Sequence, residues 1–266
     1  MPKFYIISDV HGFYNEMRIA LDEAGFDPND DNSWLISCGD VWDRGPQPVE
    51  VMQYLQGLSR KILVRGNHCD LLEDLCKRGY PCSHDFSNGT YDTVCKFGGA
   101  GLGRSFEECC IITEQRTKDF IYNMVPYFET QNYIFVHSFI PLKNSDGKPM
   151  YYTRNRKFEF DPDWRHAHAS EWEEARWGNP LELAMKGLNQ TGKIIVSGHW
   201  HCSAGWAMEA GIPEFGYGAC FEPYYYEDKL VMIDAMTAHS KKVNVLVLND
   251  KFLEEGDDTH DDSAAS

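Results

Sequence analysis

Residues 4–12 read FYIISDVHG, and this stretch decides the fold. The run 4–7 is apolar and β-rich, too short for a helix, and ends in polar residues and a glycine, so it reads as a strand over 4–8. Asp9 and His11 stand two apart, which in an extended chain puts a carboxylate and an imidazole on one side, where both can meet one cation. Gly12 lets the backbone turn closely past them. From Phe13 onward the period changes: Met17, Ala20, Leu21 and Ala24 share one face of a helix predicted over 13–24.

The same unit recurs twice more. A strand over 34–38 precedes a loop and a helix over 49–58, and a strand over 61–65 precedes a helix over 68–78. A β-α-β-α-β run argues for mostly parallel strands buried beneath helices. In such sheets the loops leaving the carboxyl ends of the strands build the site. Further along, 80–103 is rich in Gly, Asn, Ser and Cys and reads as an irregular, site-covering segment. A helix is expected over 109–124, ahead of Pro126. Strands follow over 133–136, 193–197, 230–234 and 243–248, the last two joined through Ser240 and Lys241 as a hairpin. The polar, aromatic stretch 141–169 has no clear period and reads as an insertion or lid. No repeat of 20–50 residues and no linker marks a second domain.

The chain has 266 residues, 42% of them hydrophobic, with a formal charge of −16 from 41 acids and 25 bases. Glu254, Glu255, Asp257, Asp258, Asp261 and Asp262 crowd the C-terminal end, so 251–266 reads as an acidic, disordered tail behind a domain over 1–250. The body remains acidic without it. That argues against stable nucleic-acid binding or an anionic membrane surface as partner. The N-terminal apolar run is too short for a signal peptide or membrane span, and nine cysteines without a Cys-x-x-Cys read as reduced thiols, so a cytoplasmic location is expected.

Four more motifs follow predicted strands. Gly39-Asp40-Val41-Trp42-Asp43-Arg44-Gly45 places two carboxylates and a guanidinium in a glycine-framed loop, which is costly unless the charges have partners. Arg65-Gly66-Asn67-His68 offers a neutral carbonyl oxygen beside a proton donor. Val136-His137-Ser138 adds an imidazole. Gly198-His199-Trp200-His201 repeats the two-apart geometry with two imidazoles. Mixed imidazole and carboxylate donors suit Mn, Fe or Zn better than Ca or Mg. There are too many for one tetrahedral ion, whereas two ions about 3.5–4 Å apart, bridged by one carboxylate, would use them all.

In this order, from residue 9 to residue 201, the five motifs resemble the calcineurin-like metallophosphoesterase signature. The Asp-Arg-Gly and Arg-Gly-Asn-His forms are similar to the phosphoprotein-phosphatase branch, which also holds symmetrical dinucleoside tetraphosphatases. The resemblance implies an α/β fold with a central β-sandwich of two mixed sheets flanked by helices, and lid insertions. It implies two divalent transition-metal ions, Mn first, with Fe or Zn as alternatives. One ion would be held by Asp9, His11 and Asp40, with His201 as a further ligand; the other by Asp40, Asn67, His137 and His199. His68 would be the general acid, oriented by Asp43, and Arg44 would hold phosphate oxygens. Arg65 would be a phosphate contact or a loop anchor. Trp177-Gly178-Asn179-Pro180 resembles the branch's Trp-x-Asp-Pro segment, which makes Arg176 a further phosphate contact, with Trp177 packing in the core. Cys69 stands where the branch carries Glu, with Asp70 next to supply that contact.

The activity implied is hydrolysis of a phosphate ester by a hydroxide bridging the two ions, without a phosphoenzyme. A Ser/Thr protein phosphatase acting on phosphorylated protein is the first reading. A dinucleoside polyphosphate hydrolase or nucleotide phosphodiesterase is the alternative, and a non-catalytic binding scaffold the remote one. Tyr151, Tyr152, Arg154, Arg156 and Trp164 would shape that choice.

Overall fold

The structure, a computed structural model, describes residues 1–144, 157–215 and 218–253. In the first half, β1 (Lys3–Ile7) leads to α1 (Tyr14–Glu23), β2 (Ser33–Ser37) to α2 (Pro48–Gly57), and β3 (Lys61–Leu63) to α3 (Asn67–Arg78). Then come α4 (Ser83–Asn88), α5 (Thr90–Gly98) and α6 (Phe106–Tyr122). The second half runs β4 (Phe128–Glu129), β5 (Tyr133–Phe135), β6 (Leu142–Asn144), β7 (Phe158–Phe160), α7 (Ala169–Ala175) and α8 (Pro180–Met185). It closes with β8 (Ile194–His201), α9 (Cys202–Ala210), β9 (Tyr224–Tyr226), β10 (Leu230–Asp234), α10 (Thr237–Ser240) and β11 (Leu246–Asn249).

Two mixed sheets result. One has the order β11-β1-β2-β3, with β1, β2 and β3 parallel and β11 antiparallel at the edge. The other has the order β4-β5-β8-β10-β9, parallel at its centre and antiparallel at both edges. A β6-β7 ribbon stands apart.

The period-2 alternation of the strands makes the sandwich. Phe4 and Ile6 of β1, with Ile36, pack against Phe135, Val196 and Val231 of the other sheet, forming the interior between the sheets. Their neighbours Tyr5 and Ile7 point the other way, onto Met17, Leu21 and Leu55 of the helices. On the second sheet Ile195 and Met232 face Trp172 and Leu183 instead. Because both faces of each central strand are buried, the strands read as continuous apolar runs. Each Phe, Ile or Leu so buried contributes roughly 1.5–3 kcal/mol. Since the parallel strands β1, β2 and β3 all run the same way, their following loops meet at one edge.

Two expectations are corrected. The segment 80–103 is not irregular: it forms α4, α5 and a short 3-10 turn (Ala100–Leu102). Gly79, just before it, and Gly89 and Gly99 within it close α3, α4 and α5 in the left-handed conformation. Residues 230–234 and 243–248 do not pair as a hairpin. α10 intervenes, and β11 crosses to the first sheet, where Leu248 lies opposite Phe4. That register sends Leu246 into the inter-sheet interior. Within 141–169, the described part is ordered as β6, β7 and a 3-10 turn that buries Trp164, while Tyr151, Tyr152, Arg154 and Arg156 lie outside the described residues. The expected tail over 251–266 lies outside them from residue 254 onward.

Candidate metal centre

The loops after β1 and β2 are stitched together by their backbones: His11 N–H donates to Asp40 O at 2.9 Å and Gly12 N–H to Val41 O at 2.9 Å. This pairing bends the chain out of ordinary conformations. Asp9, His11, Asp40, Asp43, Arg44 and His199 all have φ between 47° and 72°. Left-handed backbone at a non-glycine residue costs about 1–3 kcal/mol, and its concentration here marks a functional site. Two glycines make the close approach possible. A Cβ on Gly66 would run into the Asp40 backbone nitrogen at 2.5 Å, and one on Gly198 would strike Ser8 and Asp9 side chains.

The centre of the site is the Asp40 carboxylate. Its Oδ2 lies 3.4 Å from His137 Nε2, 3.7 Å from His68 Nε2 and 3.9 Å from His11 Nε2. Its Oδ1 accepts the His68 backbone N–H at 3.1 Å. Asn67 Oδ1 is 2.7 Å from His137 Nε2, and the His199 ring is 5.0 Å from the His137 ring. Asp9 Oδ1 is 3.9 Å from His11 Nε2, while Asp9 Oδ2 is taken by the Ser8 hydroxyl and by His199 N–H at 2.9 Å.

This donor set fits divalent cations. His11 Nδ1 lies 2.9 Å from Trp42 O and His137 Nδ1 lies 2.8 Å from Cys38 O. A carbonyl can only accept, so each Nδ1 carries a proton, and Nε2 is the ring atom that a cation would take, displacing any proton it holds. Two clusters whose ligand atoms lie within 4.8 Å of one another share Asp40: His11 with His68, and His137 with His199. The buried carboxylates also set the electrostatics of the site. Burial, with Asp40 nearby, holds the Asp9 carboxyl above its usual range although His137 opposes this. Burial also disfavours an imidazolium at His137, but the Asp40 and Asp9 carboxylates overcome it and raise its pKa to about 9. Burial and the neighbouring His137 push His199 down to about 3.

Chelation therefore tests the centre directly. For a single ion at 1,000 times its Kd, removal is expected to cost about 4 kcal/mol and lower the thermal midpoint by roughly 8–16 °C. The metal-free protein should also lose stability as pH rises. The folded pKa of His137, about 9, lies above its unfolded value of 6.5, so its contribution is complete below pH 6.5 and fades toward pH 9. A midpoint unmoved by chelator would remove the metal assignment.

The remaining expected residues divide. His68 Nδ1 lies 2.5 Å from Asp43 Oδ2, both groups fully buried. Burial works against a charged His68, yet Asp40 and Asp43 outweigh it and its pKa lies above the ordinary value. Arg44 is exposed overall and brings its guanidinium to His11 Nε2 at 2.7 Å and His68 Nε2 at 3.4 Å. His201 does not join the cluster. Its Nδ1 lies 3.1 Å from Glu214, because the left-handed backbone at His199 (φ 63°) and the register shift between β8 and β10 break the two-residue alternation. Arg65 and Arg176 are both held by Asp70, Arg65 Nε at 2.9 Å and Arg176 Nε at 2.8 Å, so they brace α3 against the end of α7. Arg176 is buried, which suits an anchor rather than a phosphate contact. Cys69 is buried against Met124, and burial raises its thiol pKa, leaving it inert. Trp177 sets its ring edge-on to His199 at 5.9 Å. Three residues escaped the sequence reading: Ser8 on Asp9, and Thr90 and Thr93 on Asp43. Ser8 adjoins a motif and was discoverable; the threonines carry no local signal.

Among the described residues no helix is long and apolar enough to cross a membrane. A symmetrical bis(5'-nucleosyl)-tetraphosphatase of Proteus mirabilis (strain HI4320) is 45% identical over 65 residues, 24% of this chain and 23% of that protein. This chain thus aligns with about a quarter of the length of the curated relatives it matches. Among solved structures, a cold-active protein-tyrosine phosphatase of a psychrophilic Shewanella species superposes with a TM-score of 0.55 at 14% identity, covering 94% of this chain and 76% of that one. A provisionally assigned diadenosine tetraphosphatase superposes with a TM-score of 0.52 at 13% identity, covering 93% and 91%. At such identities these likenesses establish the fold alone. The calcineurin-like phosphoesterase model matches residues 2–203, which contain all five motifs, and the chain belongs to that family.

Proposed function

We propose that the chain is a dinuclear-metal hydrolase whose first substrate class is dinucleoside polyphosphates, cleaved at a phosphoanhydride bond. The observation that carries the hydrolase reading is the set of imidazole nitrogens around Asp40 Oδ2, with the His68–Asp43 pair and the exposed Arg44 beside it. The substrate class is supported by the segment shared with the symmetrical tetraphosphatases. Asp9, His11 and Asp40 would hold one ion, and Asp40, Asn67, His137 and His199 the other. When bound, such ions neutralise phosphoryl oxygens and lower the pKa of water.

The chain's own groups do the rest. Arg44 donates to the non-bridging oxygens of the reacting phosphate. Asp43 accepts a hydrogen bond from His68 Nδ1–H, which leaves the Nε2 proton free for transfer. As water oxygen bonds to phosphorus and gives up a proton to solvent, the phosphorus–oxygen bond breaks and the His68 proton passes to the leaving oxygen; His68 regains its proton from solvent. For diadenosine tetraphosphate split at its centre, one water is consumed and two ADP result.

The Asp-Arg-Gly and Arg-Gly-Asn-His motifs favour a second reading, a phosphoserine or phosphothreonine phosphatase. Mn-reconstituted protein assayed side by side on diadenosine tetraphosphate, a phosphopeptide and a 2′,3′-cyclic nucleotide separates the two. We expect kcat/KM for diadenosine tetraphosphate to exceed the others by about tenfold or more. A phosphopeptide preferred by that margin would replace the first reading with the second.

A further inference from the structure

We propose that Thr90 and Thr93, at the start of α5, are positioning residues for proton donation by His68; this rests on the assignment of His68 as the general acid. Thr90 is fully buried and its hydroxyl donates to Asp43 Oδ2 at 2.7 Å. That is the same oxygen that His68 Nδ1 approaches at 2.5 Å. One turn later, Thr93 Oγ1 accepts the Asp43 backbone N–H at 3.1 Å. Gly89 completes the contact: a Cβ there would meet the Arg44 backbone nitrogen at 2.5 Å.

The geometry needs such a brace. Asp43 and Arg44 are consecutive non-glycine residues at φ 72° and 61°, a conformation that persists only where the surroundings over-determine it. The Thr93 hydroxyl satisfies the Asp43 N–H in that conformation. The Thr90 hydroxyl fixes the carboxylate rotamer, so that Oδ2 faces His68 rather than rotating away. The N-terminus of α5 also presents the positive end of its dipole to this carboxylate. Through these two threonines, segment 80–103 supports the acid.

The test is the ratio of turnover on a poor leaving group (phenyl phosphate) to that on an activated one (dinitrophenyl phosphate), measured on one metal-loaded preparation of each variant. Loss of folded protein lowers both rates together and leaves the ratio unchanged. Thr90→Val should lower the ratio about tenfold, the loss of one hydrogen bond to a charged group. Thr90→Ser should restore it, and Thr93→Val should lower it about threefold. In a His68→Asn background, Thr90→Val should change the ratio no further. If His68→Asn lowers the ratio while Thr90→Val and Thr93→Val leave it at the parental value, the positioning role is overturned and the acid assignment stands. If His68→Asn itself leaves the ratio unchanged, the acid assignment falls and the positioning role with it.

Discussion

Asp40→Asn is expected to lower kcat/KM on any phosphate substrate by about 10³-fold or more and to reduce bound metal from two ions to one or none. The size follows from position. Asp40 Oδ2 lies within 3.4–3.9 Å of three imidazole Nε2 atoms contributed by the loop after β1, the first turn of α3 and the loop after β5. Burial alone would favour a neutral acid there, yet His137 and His68 hold its pKa well below the ordinary carboxylate range, so the group is an anion in place. Asn keeps the shape and loses the charge, leaving two proposed ion positions without a shared counter-charge. Metal content and turnover measured on the same sample check this. A variant that binds two ions and keeps turnover within about tenfold would show that Asp40 is not the bridge.

The second large effect is selective. His68→Asn is expected to lower turnover on poor leaving groups by about 10²-fold or more while sparing activated aryl phosphates. Asn retains a hydrogen-bonding side chain but cannot deliver the Nε2 proton, so only substrates whose leaving oxygen needs that proton suffer. The sign with pH follows from the donating form: only protonated His68 can deliver the Nε2 proton, Asp43 at Nδ1 favours that form, and it is lost as pH rises through the folded pKa. The wild-type rate on a poor leaving group should therefore fall on the alkaline side, and the variant should lack that limb. Equal losses on both substrate types would remove the assignment.

Much of this was legible in the residues. The runs 4–8, 34–38 and 61–65 became β1, β2 and β3 within two residues, because a strand buried on both faces announces itself as an uninterrupted apolar run. Asp9, His11, Asp40, Asn67, His68, His137 and His199 do meet, because each lies at or just beyond the carboxyl end of a strand. Helices α4 and α5 were missed because glycine density looks the same in a loop and in a series of short helices with left-handed caps.

Local pattern by itself determined the strand-and-helix alternation, the family and the chemical types at the centre, since these depend on neighbours one to four residues apart. Only the tertiary structure decided partners. It turned His201 to Glu214 and gave both Arg65 and Arg176 to Asp70. It sent β11 across to β1 and set Thr90 beneath Asp43, 47 positions away in the chain. The period of a strand says which side a residue faces. It does not say what stands there, because that depends on contacts between segments far apart in sequence.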